Sequence, residues 1–290
     1  MAGILFALAT TGRLLENDGW VEAAQGAVPL VLDQIRDIPP ERLPVDVVGG
    51  VAGVMSCLTA IGGPHADDSL ASLTAMLVSA LGAGRGHESV LAQSGFAHGV
   101  SGLIHALSSA FPRVPETQRD SVKSALESLV ERLQGFYDTS EGNWYSNVAT
   151  PWSFSTGWCH GATGIALALS EYASVSDDEV VPAMRDVAVG NLIRHGFGRN
   201  MTWCHGDLGN HDVLSKLARD VDPSLRDEVS EIEGRWLQPD VFKRKISDNQ
   251  SRYAHTNSLM VGTAGIVLHL VNRIDPSAHI SPVTLTYESR

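Results

Sequence analysis

Several features are scarce in this sequence of 290 residues, and each scarcity excludes a class of protein. Only three cysteines are present, an odd number at spacings that do not suit the disulfide framework of a secreted protein. Lysine and arginine number 21 against 33 acidic residues and form no basic cluster, which argues against nucleic-acid or anionic-membrane partners. The N-terminal apolar run breaks at Thr10 and lacks a basic flank, so it predicts neither a signal peptide nor a membrane helix. We therefore expect a cytoplasmic protein.

Strand signals are also scarce, because Val283–Leu285 is the only good short candidate. With 43% apolar and 19% charged residues, the chain has the composition of a folded protein with a sizeable core. No segment is long or biased enough to be a domain linker, and the polar stretch from Arg244 to Thr256 is expected to be a surface loop. We predict a single all-α domain over residues 1–290.

A short glycine-containing theme recurs along the chain. Its last glycines lie 45 to 62 residues apart, which is the spacing of a repeat protein. The theme occurs at Met1–Gly3, Gly50–Gly53, His98–Gly102, His160–Gly164, His205–Gly209 and Val261–Gly265. In the first and last copies the glycines are interpreted as packing features only.

Each copy precedes an apolar run with helical spacing, which predicts a buried inner helix. Amphipathic stretches lie between these runs, such as Thr117–Leu133 and Asp178–His195, and they predict outer helices. One inner and one outer helix in each repeat of about fifty residues is typical of a closed or curved α/α array. Glycine permits positive φ and close backbone approach, so several helix starts can converge at one end of the array.

Two copies of the theme carry sulfur and imidazole donors that suit Zn²⁺. Cys204 and His205 are adjacent, and Cys159 lies one repeat earlier at the same phase, so the three are expected to be neighbours in space. Three protein ligands leave an open position for water or substrate, as in catalytic zinc sites. The adjacent His160 is an alternative fourth ligand, which would close the site and make it structural.

His98 has the same repeat phase as His160 and His205, and imidazole titrates nearest to neutral pH, so His98 is a candidate acid or base. Asp46 precedes the glycine pair at 49–50 and is expected at the same end of the array, with helix capping or a surface loop as the alternative. Cys57 and His105 are interpreted as packed inner-helix residues. The histidines expected to be exposed in polar loops are His65, His87, His195 and His255.

The glycine boxes together resemble the lanthionine synthetase C-like cyclase family. The box at Trp203–Asn210 is most similar to the C-terminal cyclase domain of class II (LanM-type) lanthipeptide synthetases. The resemblance covers nearly the whole chain and is carried by the boxes at Gly95–Gly99, Gly157–Gly161, Trp203–Asn210 and Leu259–Gly265.

This resemblance implies an α/α toroid, which is a double ring of helices with zinc at one end of the inner ring. By the same resemblance, Cys159, Cys204 and His205 are the zinc ligands, His98 is the active-site histidine, and Asp46 is the aspartate beside it. The implied reaction adds a cysteine thiol of a dehydrated precursor peptide to a dehydroalanine or dehydrobutyrine, which gives a thioether ring. A dehydratase domain or protein is the implied partner.

The sequence also differs from the family pattern. Six repeats are counted where the family has seven, so the toroid is expected to be incomplete at the N-terminus, with apolar groups exposed around Ile4, Leu5 and Leu8. His160 stands where some members have tyrosine directly after the first zinc cysteine, and those members also carry an arginine shortly before that cysteine, which is missing here. The alternative functions are a non-catalytic zinc-binding scaffold and an enzyme that adds glutathione to dehydrated residues.

Overall fold

The computed structural model describes residues 1–83, 86–236, 238, 240–241, 243–244, 256–275 and 278–289. Most of the predicted surface loop from Arg244 to Thr256, including His255, lies outside these residues. The described α-helices are α1 (Ala2–Leu14), α2 (Asp18–Gly26), α3 (Val28–Asp33), α4 (Val51–Ile61), α5 (Pro64–Gly82), α6 (Glu88–Leu91), α7 (Val100–Ala110), α8 (Glu116–Gln134), α9 (Ala162–Ala173), α10 (Val180–His195), α11 (Asp207–Asp220), α12 (Arg226–Trp236) and α13 (Thr263–Ile274). Two antiparallel hairpins pair β1 (Tyr137–Asp138) with β2 (Asn143–Trp144) and β3 (Ala278–Ser281) with β4 (Thr286–Ser289).

The helices form two layers. In the inner layer α1 packs on α4, α4 on α7, α7 on α9 and α9 on α11. Each inner helix from α4 onwards also packs on the helix that follows it, so α5, α8, α10 and α12 make up the outer layer. The inner helices α4, α7, α9 and α11 are buried on most sides, as the apolar runs predicted. The same prediction is wrong for α1 and α13, each of which leaves an apolar face exposed. One hydrophobic core therefore lies between the layers.

Backbone hydrogen bonds join the segments before successive inner helices into a chain. Ala97 accepts from Val47 N and Val48 N, Cys159 O accepts from Ala97 N, Cys204 O accepts from Cys159 N, and Met260 O accepts from Cys204 N, at 3.0 to 3.3 Å. Each of these residues stands five positions before the last glycine of its repeat, apart from Val47 at six. The repeat phase read from the sequence is therefore a physical register, which brings equivalent residues together at one end of the inner layer.

The glycines of the repeats allow close backbone approach, and positive φ is not the reason for them. The first glycine of each theme caps its helix in an extended conformation, with φ between -125° and -141° at residues 50, 99, 161, 206 and 262. The last glycine packs against a carbonyl: a Cβ on Gly209 would lie 1.9 Å from Trp203 O, and one on Gly265 would lie 2.2 Å from Leu259 O. Gly3 has no such neighbour within 4 Å, so the first copy lacks this packing.

This close approach predicts a large stability difference between two glycine-to-alanine changes. Gly209→Ala is expected to lower the free energy of unfolding by about 1–3 kcal/mol or more, because the Trp203 backbone must move to admit the methyl group. Gly234→Ala is the control: this exposed position in α12 has no atom within 4 Å of an added Cβ, and alanine there should raise stability by up to ~1 kcal/mol. Urea unfolding of both variants measures the difference, and equal stabilities would contradict this explanation of the glycine theme.

Two sequence predictions about local structure are wrong. Val283–Leu285 is not a strand but part of the turn between β3 and β4. His87 is not exposed in a loop: it is 5% exposed, and its Nε2 lies 3.0 Å from Pro40 O, because the segment before α6 folds against the 3-10 turn at Pro40–Arg42. His65 and His195 are exposed as predicted, although both lie in helices, α5 and α10. No helix within the described residues is long and apolar enough to cross a membrane.

Exposed apolar side chains on α1 and α13 predict self-association. Ile4 is 72% exposed on α1, while Val267, Val271 and Ile274 form a stripe on α13 that is 52–83% exposed. Exposure was predicted around Ile4, Leu5 and Leu8. Only Ile4 is exposed, because Leu5 is buried and Leu8 is half-buried. The protein should form oligomers or aggregates that Ile274→Glu reduces, since exposed patches of this kind drive association. Analytical ultracentrifugation tests this, with Leu30→Glu on α3 as control, and a monodisperse, heat-stable wild-type monomer would contradict it.

Candidate active site

The candidate site lies where the segments before the inner helices meet. Because Ala97, Cys159 and Cys204 occupy equivalent positions in the hydrogen-bonded chain, the residues that follow them, His98, His160 and His205, stand side by side. The glycine caps at 99, 161 and 206 come directly after these histidines. The local backbone therefore repeats one arrangement three times, and only the side chains differ from copy to copy.

Cys159, Cys204 and His205 form a group suited to a metal ion. Their ligand atoms, two Sγ and one imidazole nitrogen, all lie within 4.8 Å of one another. Zinc binds sulfur at about 2.3 Å and nitrogen at about 2.0 Å, so tetrahedral ligands stand roughly 3.5–4 Å apart and the group needs little adjustment. Cys159 is buried, and the other two are half-buried. The group does not include His160, which favours three protein ligands and one open position.

The two thiols share a hydrogen bond that separates their pKa values. The bond from Cys159, helped by His205 and opposed by burial, lowers the pKa of the Cys204 thiol to about 5. The same bond, together with burial, raises the pKa of Cys159, because a thiolate on Cys204 opposes a second one nearby. These opposite shifts favour one thiolate and one thiol that share a proton at neutral pH. A cation bound between the two sulfurs would favour the thiolate form of both. This is the donor chemistry that a zinc ion requires.

His98 and Asp46 are hydrogen-bonded to each other beside this group. His98 Nδ1 lies 2.7 Å from Asp46 Oδ2, and the other carboxylate oxygen, Oδ1, accepts from Gly49 N at 2.7 Å. Because a carboxylate accepts hydrogen bonds, the contact places a proton on Nδ1 and leaves Nε2 for other partners. The His98 side chain is 43% exposed, so a substrate can reach it. Asp46 thus orients His98, and the same carboxylate also accepts a hydrogen bond within its own loop from Gly49 N. It does not cap α4.

His160 lies between the metal group and His98. Its ring stacks on that of His98 with the centroids 6.1 Å apart, and the backbone oxygen of His160 accepts from Ser146 Oγ at 3.1 Å. Burial lowers the pKa of His160, opposed by the charge of Cys204. A neutral imidazole at this position fills the space beside the thiols without adding a charge to it.

These groups open into one cavity of about 570 Å³, within the range of small-ligand sites. His98, His160, Cys159 and Cys204 all line it. The remaining walls are mainly apolar, with Val47, Val54, Phe96, Trp158 and Met260 among the lining residues. The cavity therefore combines a reactive polar end with walls that suit apolar groups.

Cys57 and His105 also line this cavity, but they are packed residues, as the sequence predicted. Burial raises the pKa of Cys57 to about 11, so this thiol stays protonated at neutral pH. Burial lowers the pKa of His105, whose ring packs edge-on against Phe96 with the centroids 5.0 Å apart. Neither residue belongs to the metal-binding group.

A second cavity of about 680 Å³ lies between α11, α12, α13 and β3, and sequence reasoning missed it. Its carboxylates already have partners: His211 Nε2 lies 3.0 Å from Glu233 Oε1, and His279 Nε2 lies 2.8 Å from Asp212 Oδ1. No sequence motif predicts these contacts, because the paired residues are far apart in the chain; His279 and Asp212, for example, are separated by 67 residues. This cavity holds no cysteine, so the chemistry expected of the glycine boxes belongs to the other one.

The two helical layers, with a thiolate and imidazole group where the inner helices begin, define an α/α toroid with a candidate thiol-activating metal centre. A family model described as lanthionine synthetase C-like protein matches residues 1–286. The chain belongs to the lanthionine synthetase C-like family. The solved structure of nisin cyclase is similar in fold, with a TM-score of 0.70 over 95% of this chain and 75% of that chain, at 17% sequence identity. The toroid predicted from the sequence is confirmed.

Proposed function

We propose that this protein is a zinc-dependent lanthipeptide cyclase, which adds peptide cysteine thiols to dehydroalanine or dehydrobutyrine to form thioether rings. The observation that carries the proposal is the convergence of Cys159, Cys204 and His205 within 4.8 Å. Both cysteines line one cavity together with His98, which the Asp46 carboxylate orients. Family membership supports it, and a dehydrated precursor peptide from a dehydratase is the corresponding substrate. The free cysteines suit a reducing compartment such as the cytoplasm.

Cys159, Cys204 and His205 would hold the metal and leave one position for the substrate thiol. Zinc bound there would lower the pKa of that thiol so that it acts as a nucleophile near neutral pH. The two cysteine donors would raise the electron density at such a metal and so keep a bound sulfur reactive.

His98 would move the proton that the addition requires. The thiol loses a proton when it attacks the β-carbon, and the α-carbon of the resulting enolate must gain one. Because Asp46 fixes the proton of Nδ1, Nε2 is the atom that exchanges protons with the substrate. Gly49 N holds the Asp46 carboxylate, and Asp46 holds the ring of His98, so the ring is already oriented for the reaction.

Incubation with a dehydrated, cysteine-containing peptide tests the proposal. A cyclase consumes the free thiol without changing the mass of the peptide, as alkylation followed by mass spectrometry shows. Glutathione added to the same reaction tests the alternative enzyme, which would raise the mass by one glutathione. A scaffold would leave thiol and mass unchanged, and this result would overturn the proposal. Peptide without protein, and peptide with the Cys204→Ala variant, control for spontaneous addition.

A further inference from the structure

The turn between β3 and β4 is part of the wall of the candidate active site. Pro282–Leu285 line the same cavity as Cys159 and Cys204. Val283 is only 2% exposed, and Leu285 packs against the hydrophobic core. Most turns run over the surface of a protein, where their polar backbone groups meet water. This one instead brings apolar side chains to the cavity.

Buried hydrogen bonds hold the hairpin against the helix that follows the metal-binding group. Asp212 on α11 accepts from Ser281 Oγ and from His279 Nε2, and it is 4% exposed. On α13, Asn272 Nδ2 donates to Ile280 O at 2.8 Å, and Asn272 Oδ1 accepts from Ile280 N at 3.2 Å. A buried carboxylate without its partners is costly, so these contacts resist displacement of the hairpin. Since α11 begins two residues after His205, the position of the turn is fixed relative to the metal ligands.

The backbone of the turn is unusual at Leu285. Its φ is 52°, in the left-handed region that a residue with a side chain enters at a cost of about 1–2 kcal/mol. Glycine would occupy this position without that cost, yet the chain has leucine. Residues kept in such conformations cluster at ligand sites. Glu16, which does not line the cavity, has a similar φ of 51°, so the cavity lining and the buried contacts of the hairpin, and not this conformation, support a role for the turn.

We propose that this turn determines which peptides the active site accepts, with Val283 and Leu285 contacting the side chains that flank the substrate cysteine. The proposal rests on the proposed cyclase function. Apolar residues elsewhere in the cavity, such as Phe96, Trp158 and Met260, complete a site for small apolar flanking residues. A volume of about 570 Å³ admits a few residues of a peptide, so each wall position limits the size of one of them.

Truncation of the turn should change this preference. Two dehydrated peptides that differ only in the residue beside cysteine, alanine or phenylalanine, are compared by kcat/KM. Wild type should prefer the alanine peptide, and Val283→Ala or Leu285→Ala should raise the phenylalanine-to-alanine ratio by about tenfold or more. Leu30→Ala, an exposed leucine on α3 outside the cavity, is the matched control and should keep the wild-type ratio. A purely structural turn would lower both rates together and leave the ratio unchanged, which would overturn the proposal.

A binding measurement separates this inference from the proposed function. Analogues with alanine in place of the dehydrated residue cannot react, and fluorescence anisotropy gives their affinities for the zinc-loaded protein. If Val283→Ala changes the preference between these analogues but neither the wild type nor any variant forms thioethers, the role of the turn in peptide selection is supported and the cyclase proposal fails. If thioethers form but neither Val283→Ala nor Leu285→Ala changes the kcat/KM ratio or the relative affinities of the analogues, the turn does not select peptides and the cyclase proposal stands. Leu285 is half-buried, so Leu285→Ala should leave no enclosed cavity and should cost less stability than Val283→Ala. If Val283→Ala does not fold, the measurements on Leu285→Ala test the role of the turn.

Discussion

Replacing Cys204 with alanine is expected to remove the zinc ion and abolish cyclisation. Cys204 contributes one of two sulfurs in a group whose ligand atoms lie within 4.8 Å, and its removal leaves only Cys159 and His205. The loss of a ligand should weaken zinc binding by at least ~10²-fold, since the loss of a mere supporting contact costs up to about that much. Cys159→Ala should behave in the same way. Metal analysis of the purified variants, against about one zinc per chain for the wild type, measures the effect.

Cys57→Ala provides a matched control for this experiment. Cys57 lines the same cavity, but it is a buried, protonated thiol outside the metal-binding group. The variant should therefore keep its zinc and lose only one free thiol. Zinc retention in both Cys159→Ala and Cys204→Ala would show that the assignment of ligands is wrong, whatever the activity of those variants.

Replacing His98 with asparagine is expected to slow ring formation by roughly 10²-fold or more while the zinc content stays intact. His98 is oriented by Asp46 at 2.7 Å and accessible from the cavity, and asparagine cannot exchange a proton near neutral pH. His98 is not part of the metal-binding group, so the metal should not depend on it. Measuring kcat/KM and zinc content on the same preparation separates the two roles.

The neighbouring residues supply controls for His98. Asp46→Asn keeps the imidazole but weakens its orientation, so it should cost less activity than His98→Asn. His65→Asn, on the exposed face of α5, should change neither activity nor zinc content. Zinc loss in proportion to activity in His98→Asn would make His98 a ligand or a support. Wild-type cyclisation by that variant would transfer the acid or base role to His160 or Asp46.

The family membership and the fold were both predictable from the sequence. Repetition explains this: every copy of the glycine theme except the first needs its last glycine for a local reason. Gly102, Gly164 and Gly209, for example, all pack against the carbonyl six residues earlier. Such short-range constraints leave a regular pattern that can be read without coordinates. The positions of Cys159, Cys204 and His205 follow from the same regularity, because equivalent residues of neighbouring repeats must lie side by side.

Contacts between residues that do not share the register of the repeats were decided only by the tertiary structure. His98 and Asp46 are 52 residues apart. Their repeat positions predicted only that they lie at the same end of the array, and the family resemblance placed them side by side. The structure gives the hydrogen bond of 2.7 Å between them. His87 was predicted to be exposed, yet a carbonyl 47 residues away holds it in the interior. The turn at Val283–Leu285 reads locally as a strand, but the contacts of Asp212 and Asn272 with β3 place it in the wall of the cavity. A sequence pattern reflects the backbone conformation and packing of the segment that contains it. The contacts of His98, His87 and the β3–β4 turn depend instead on how whole helices pack against one another.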